Sequence, residues 1–234
     1  MKRLLAAAAT LLALVAAGPP PASLLGAEIR RIPTDERVVA LTFNAAWDET
    51  GLETVLAVLR DRAAPAAFFP TGDFADRNPG AVRTIAAAGH GLGNHSYSHP
   101  QFAGLTRQQA RGEVQRADTA IRRAAGTDPL PFFRFPYSET TPEATATVNE
   151  LGFADLEFTT DTNGYLGPAH GMTAARATER ALAALTPGAI LQLHVGATEE
   201  GGGQCLDAEA LPAIIDGARS RGYRIVDLRT LLSG

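Results

Sequence analysis

Two histidines spaced i and i+4, His95 and His99, sit in the stretch Asn94-His95-Ser96-Tyr97-Ser98-His99-Pro100. Two neutral imidazoles at that spacing can converge on one cation, and zinc is a common choice. Zinc with an open coordination position turns bound water into a nucleophilic hydroxide near neutral pH. An isolated H-x-x-x-H pair can equally be two surface side chains flanking a turn. The other reactive side chains bear on the choice. They are Asn44, Asp48, Arg134, Tyr137, Asp161 and a third histidine, His194.

The elements that must position them follow from apolar periodicity. Short β-rich apolar runs cover 38–43, 66–69, 92–95, 132–135, 153–158, 189–194 and 223–226. Helical periods fill the intervals at 50–61, 79–88, 106–125, 141–151, 173–185 and 208–221. A last short helix follows Asp227. Strand and helix alternate with short connections, which implies one α/β domain with a parallel sheet. An open doubly wound sheet and a closed barrel both fit. In either, functional side chains gather at the carboxyl ends of the strands. Asn44 and Asp48 follow the first strand, and His95 and His99 the third. Arg134 and Tyr137 belong to the end of the fourth, Asp161 follows the fifth, and His194 ends the sixth. All the candidates for chemistry therefore share one rim, which favours a site over scattered surface polarity.

Composition narrows the classes. Of the 234 residues 45% are hydrophobic and 20% charged, enough apolar material for a real core, and the formal net charge is -4. No basic stripe suggests nucleic acid as a partner. Lys2 and Arg3 precede an apolar run, Leu4 to Ala17, too short to span a bilayer comfortably. It reads as a secretory leader, with an uncleaved anchor as the alternative. The domain organisation is then leader and start of linker over 1–27, linker over 28–36, and one domain over 37–234. A secreted or extracytoplasmic protein with no stable membrane span after cleavage is expected. Lys2 is the only lysine, so Schiff-base chemistry is unavailable to the mature chain. A single cysteine, Cys205, permits no internal disulfide.

Several ordered motifs carry a family likeness. Phe68-Phe69-Pro70-Thr71-Gly72, Asn78-Pro79 and the run from Ile85 to Pro100 closely resemble the NodB homology domain, the polysaccharide deacetylases of carbohydrate esterase family 4. Arg134-Phe135-Pro136-Tyr137 resembles that family's R-x-P-Y motif, and Leu191-Gln192-Leu193-His194 its closing L-x-L-H strand. The likeness covers about Arg37 to Leu232. It implies a distorted (β/α) barrel of about seven parallel strands. It also implies a divalent metal, zinc first, and removal of N- or O-acetyl groups from peptidoglycan, chitin-like or related glycans. By position, His95 and His99 would be metal ligands and His194 the general acid. Asp161 would orient that histidine, Arg134 would position a carboxylate, and the backbone N–H of Tyr137 would hold the oxyanion.

The first motif departs from the family. In place of T-F-D-D-G stands Thr42-Phe43-Asn44-Ala45-Ala46-Trp47-Asp48-Glu49. Asparagine cannot take up a proton in this pH range and alanine cannot bind metal. One expectation is a remodelled loop in which Asp48 becomes third metal ligand or base and pairs with Arg134. The other is that Asp48 merely begins the next helix. Trp47 is a sugar-stacking platform or a core residue, and Asn44 and Tyr137 would touch substrate. Two functions follow: a secreted metal-dependent deacetylase, or a catalytically inactive glycan-binding relative.

Overall fold

A computed structural model describes residues 18–197 and 203–233; the apolar run expected to be a leader lies outside them, as do residues 198–202 and 234. The central strand β1, Val38–Ala45, is buried along its whole length. It pairs in parallel with β2, Ala67–Pro70, and with β7, Ala189–His194. Its first half also pairs with β8, Arg224–Val226. Beyond β2 lies β3, Gly91–Leu92, and beyond β7 lies β6, Thr160–Asp161. A second parallel pair joins β4, Phe132–Phe133, to β5, Ala154–Asp155. Isolated bridges Asn94 to Phe133 and Ile29 to Leu156 extend the two sheets toward each other. The result is an incomplete (β/α) ring of parallel strands, the NodB-like architecture expected.

The helices α1 (Leu52–Asp61), α2 (Gly72–Arg77), α3 (Pro79–Ala87), α4 (Arg107–Ala125), α5 (Pro142–Glu150), α6 (Ala174–Ala183) and α7 (Leu206–Ser220) occupy the connections. None among the described residues is long and apolar enough to cross a membrane. Two elements differ from the periodicity reading. Helix α2 has only six residues, so it shows no period, and Thr71 caps it by accepting from Phe74 N. The single strand expected at 153–158 pairs with β4 only at its start, and the chain then runs on to pair with β7 as β6.

Strand alternation in β1 sorts its side chains between two cores. Val39, Leu41, Phe43 and Ala45 enter the helix-facing core with Leu59, Phe74 and Leu211. Ala40 enters the inner core with Phe69, Phe132 and Ile190. Asn44 continues that inner row at the carboxyl end. Adjacent side chains at the site therefore face opposite sides of the strand, which matters for the chemistry below.

Candidate glycan cleft

The loop that carries the paired histidines is fixed from helix α4. Asn94 Nδ2 donates to Val114 O, and Asn94 Oδ1 accepts from Ser96 N. The Glu113 carboxylate accepts from Tyr97 N, Ser98 N and Ser98 Oγ. Gly93 lies flat against the Phe69 ring, where a Cβ would collide. His95 Nδ1 stands 2.8 Å from Arg134 O. That carbonyl can only accept, so Nδ1 carries the proton and Nε2 is left bare. His99 lies with its ring centroid 4.8 Å from that of His95. Burial, with the neighbouring His99, holds the His95 imidazole well below its usual pKa, and burial pushes His99 down to about 4. Both rings are neutral at physiological pH.

Aromatic edges close around His99. The Trp47 ring lies 4.8 Å away and the Tyr137 ring 4.7 Å away, both edge-on. Trp47 is 52% exposed and Tyr137 59%, so both present a face to solvent. The loop bearing Trp47 is pinned by Arg77, which donates to the carbonyls of Ala46 and Trp47. With Asn44, Asp161, Tyr165 and His194 these rings line a cleft of about 210 Å³. Five non-glycine residues around it, Ser96, His99, Tyr137, Ser138 and Asn163, have φ between +53° and +63°. Left-handed backbone at non-glycine residues is uncommon and costs energy, so its concentration here marks a shaped site.

Arg134 is completely buried beneath the cleft. Its Nε donates to Leu156 O at 3.1 Å, Nη2 to Glu157 O at 3.2 Å, and Nη1 to Asn44 Oδ1 at 3.0 Å. The guanidinium lies over the Phe69 ring at 4.2 Å. Burial lowers its pKa to about 10, so it stays charged at neutral pH. The expected pair with Asp48 is not made. A guanidinium can only donate, so the Asn44 oxygen must face Arg134 and its NH₂ must turn away.

Asp48 is likewise not a partner of the histidines. Its Oδ1 accepts from Thr50 N at 2.9 Å and its Oδ2 from Ala197 N at 3.2 Å. It lines a small recess with His194, Tyr165 and Gly196 that adjoins the cleft and shares Asn44, Trp47, Tyr165 and His194 with it. The structure does not group Asp48 with His95 and His99 as a third ligand; its carboxylate holds the turn into α1 and the loop after β7. Among the described residues no group of three His, Cys, Asp or Glu side chains could hold a metal ion. Ala45, where the family motif has its second aspartate, faces the helix-side core. Two imidazoles alone do not fit the three-ligand zinc site implied by the resemblance.

His194 sits between two carboxylates. Asp161 Oδ1 is 3.9 Å from its Nδ1. Asp207, which the sequence reading left out, is closer, with Oδ2 3.4 Å from Nδ1 and 2.8 Å from the backbone N of His194. Burial opposes the charged ring, but Asp161 and Asp207 together outweigh it and raise the His194 pKa. The Tyr165 ring packs 4.5 Å from the imidazole. A sequence signal for Asp207 did exist. It is the carboxylate at the start of the helix that follows the strand ending in His194, the expected place for a residue returning to the rim.

The chain is similar to proteins of known description. The family model for polysaccharide deacetylases matches residues 31–156. A peptidoglycan-N-acetylglucosamine deacetylase of Bacillus cereus is 30% identical over 199 residues, 85% of this chain and 70% of that protein. A chitooligosaccharide deacetylase of Bradyrhizobium is 31% identical over 202 residues, 83% of this chain and 90% of that one. Among solved structures, a CE4 family pseudoenzyme from Bacillus anthracis superposes with a TM-score of 0.79 at 25% identity, covering 88% of this chain and 69% of that one. A mutant of that pseudoenzyme with restored enzymatic activity superposes equally well, with a TM-score of 0.79 at 25% identity over 88% of this chain and 71% of that one.

Proposed function

The chain belongs to the polysaccharide deacetylase family, and from that premise we propose that it binds N-acetylated cell-wall or chitin-like glycans in a cleft that has lost its hydrolytic base. One observation carries the reading. At the end of β1 the reactive position is an amide, Asn44, locked by Arg134, while Ala45 faces the helix-side core. Amide hydrolysis needs a group that takes a proton from the attacking water. Asn44 cannot do this, and the nearby Asp48 carboxylate accepts from the backbone N–H groups of Thr50 and Ala197 instead. What remains suits recognition. Trp47 and Tyr137 offer exposed aromatic faces on which a sugar ring can stack, and His194 and Asn44 offer polar contacts at the floor. The family relatives named as deacetylases of peptidoglycan and chitooligosaccharide support the glycan class. The pseudoenzyme of similar fold supports the loss of hydrolysis. The apolar run after Lys2 and Arg3 supports a place outside the cytoplasm.

A second reading is slow deacetylation. The retained His194 with its two carboxylates favours it, because a pure binder has no need of a proton donor for a leaving amine. Calorimetric titration with N-acetylated chito-oligomers, run beside an acetate-release assay with zinc or chelator, separates the two. Binding without release supports the first reading. No binding of any acetylated glycan removes it.

A further inference from the structure

We propose that Asp207, rather than Asp161 alone, is the positioning residue that fixes the orientation and proton placement of His194, so that the imidazole presents Nε2 to a glycan in the cleft. The glycan part of this statement rests on the function proposed above. The placement of Asp207 stands on its own geometry.

Asp161 serves other donors and stands farther from the ring than Asp207 does. Oδ1 accepts from Asn163 N at 2.8 Å and Oδ2 from Gln192 Nε2 at 2.8 Å, and the imidazole is at 3.9 Å, beyond hydrogen-bond reach. Asp207 is only 1% exposed and is built around His194. Its Oδ2 takes the His194 backbone N–H at 2.8 Å and lies 3.4 Å from Nδ1. Its Oδ1 accepts from the buried Thr162 hydroxyl at 2.6 Å. Gly164 leaves the space in which the carboxylate sits, since a Cβ there would collide with it. Asp207 also lies in the first turn of the fifteen-residue helix α7, where the helix N-terminus favours a negative charge.

One carboxylate thus ties the end of β7 to the start of α7 and to the segment after β6. An Nδ1–H pointed at Asp207 leaves Nε2 as the ring nitrogen that faces away from it. Other ionisable groups around the ring are Asp161 from β6, Tyr165 from the turn after it, and Asp48 from the loop after β1. Arg134, His95 and His99 lie across the cleft. Of the two carboxylates within 4 Å of Nδ1, Asp207 makes the shorter approach.

Long-range ¹⁵N–¹H spectra of the imidazole rings test the idea in the whole protein, Asp207→Asn and Asp161→Asn, with folding checked by circular dichroism. In the unaltered protein the Nδ1–H should show cross-peaks to the Asp207 β-protons, a measurement that needs no variant. Asp207→Asn should lower the proton affinity of His194 about tenfold, one pKa unit, and change its nitrogen shifts. Chito-oligomer affinity at pH 7 should fall about threefold to tenfold and recover at pH 5, where the ring is protonated in both proteins; mere structural damage would not recover. A His194 whose spectrum and titration are unchanged in Asp207→Asn, and altered only in Asp161→Asn, overturns the proposal. Spectral shifts as expected with no glycan binding at any pH would uphold the placement of Asp207 and sink the glycan reading instead.

Discussion

Arg134 donates to the side-chain oxygen of Asn44 at 3.0 Å, and no carboxylate among the described residues reaches ion-pair distance of that fully buried guanidinium. A buried cation whose direct hydrogen bonds all go to neutral acceptors is costly. The side chain at the end of β1 that meets this cation is an amide, while Glu157, Asp161 and Asp155 act on its charge from farther away.

A carboxylate in contact with Arg134 should stabilise the fold. In Asn44→Asp, a charge-assisted hydrogen bond replaces a neutral acceptor, worth about 1–3 kcal/mol before desolvation of the new carboxylate is subtracted. Thermal unfolding at pH 7 should show the melting point raised by a few degrees. The sign with pH follows from the pair. A carboxyl next to Arg134 has a depressed folded pKa, so the gain is present above the ordinary aspartate range and lost as the pH falls through the folded value. A melting point unchanged or lowered at pH 7 would speak against a net gain from a carboxylate in contact with Arg134.

The buried Asp155 sets the opposite pH dependence. Burial first, and then the nearby Glu157, raise its pKa to about 8, and only Thr145 Oγ1 donates to it, at 3.1 Å. A raised folded pKa means that its stabilising contribution is fully present below about pH 4. It declines as the pH rises toward 8. Melting points from pH 4 to 8.5 should fall less steeply in Asp155→Asn than in the unaltered protein. Parallel curves would show that Asp155 ionises normally.

Aromatic stacking should separate binding from stability. Trp47→Ala and Tyr137→Ala each remove an exposed ring, so melting points should move by less than about 0.5 kcal/mol equivalent. Chito-oligomer affinity should drop about threefold to tenfold in each, from the loss of about 0.5–1.5 kcal/mol per ring contact. Calorimetry on both variants reads the two quantities. Unchanged affinity would leave these rings without a role in the cleft.

Much of this was legible in the sequence because it depends on period and order. The alternation of strands and helices forecast the parallel sheet, and the carboxyl-end rule gathered Asn44, His95, Arg134, Asp161 and His194 onto one rim. All five lie in or directly beneath the same cleft. Direction and partner choice were not legible. Nothing in Thr42-Phe43-Asn44-Ala45 says that Ala45 turns into the helix-side core; that depends on β1 continuing straight through it. Asp48 was read as a possible ligand because its type allowed it. Its carboxylate went to Thr50 N, a local turn, and to Ala197 N, a loop-to-loop contact spanning 149 residues that no local pattern encodes. Asp207 was hidden for the same reason, since acids in a first helical turn are ordinary and its value lies in touching His194.

The most direct test of the central claim is acetate release from N-acetylated chito-oligomers and peptidoglycan, measured beside calorimetric binding of the same glycans. The unaltered protein, with zinc or with chelator, should bind and release no acetate above a denatured control. Acetate released by the unaltered protein at a steady rate, and abolished by His194→Ala, would contradict the loss of the hydrolytic base.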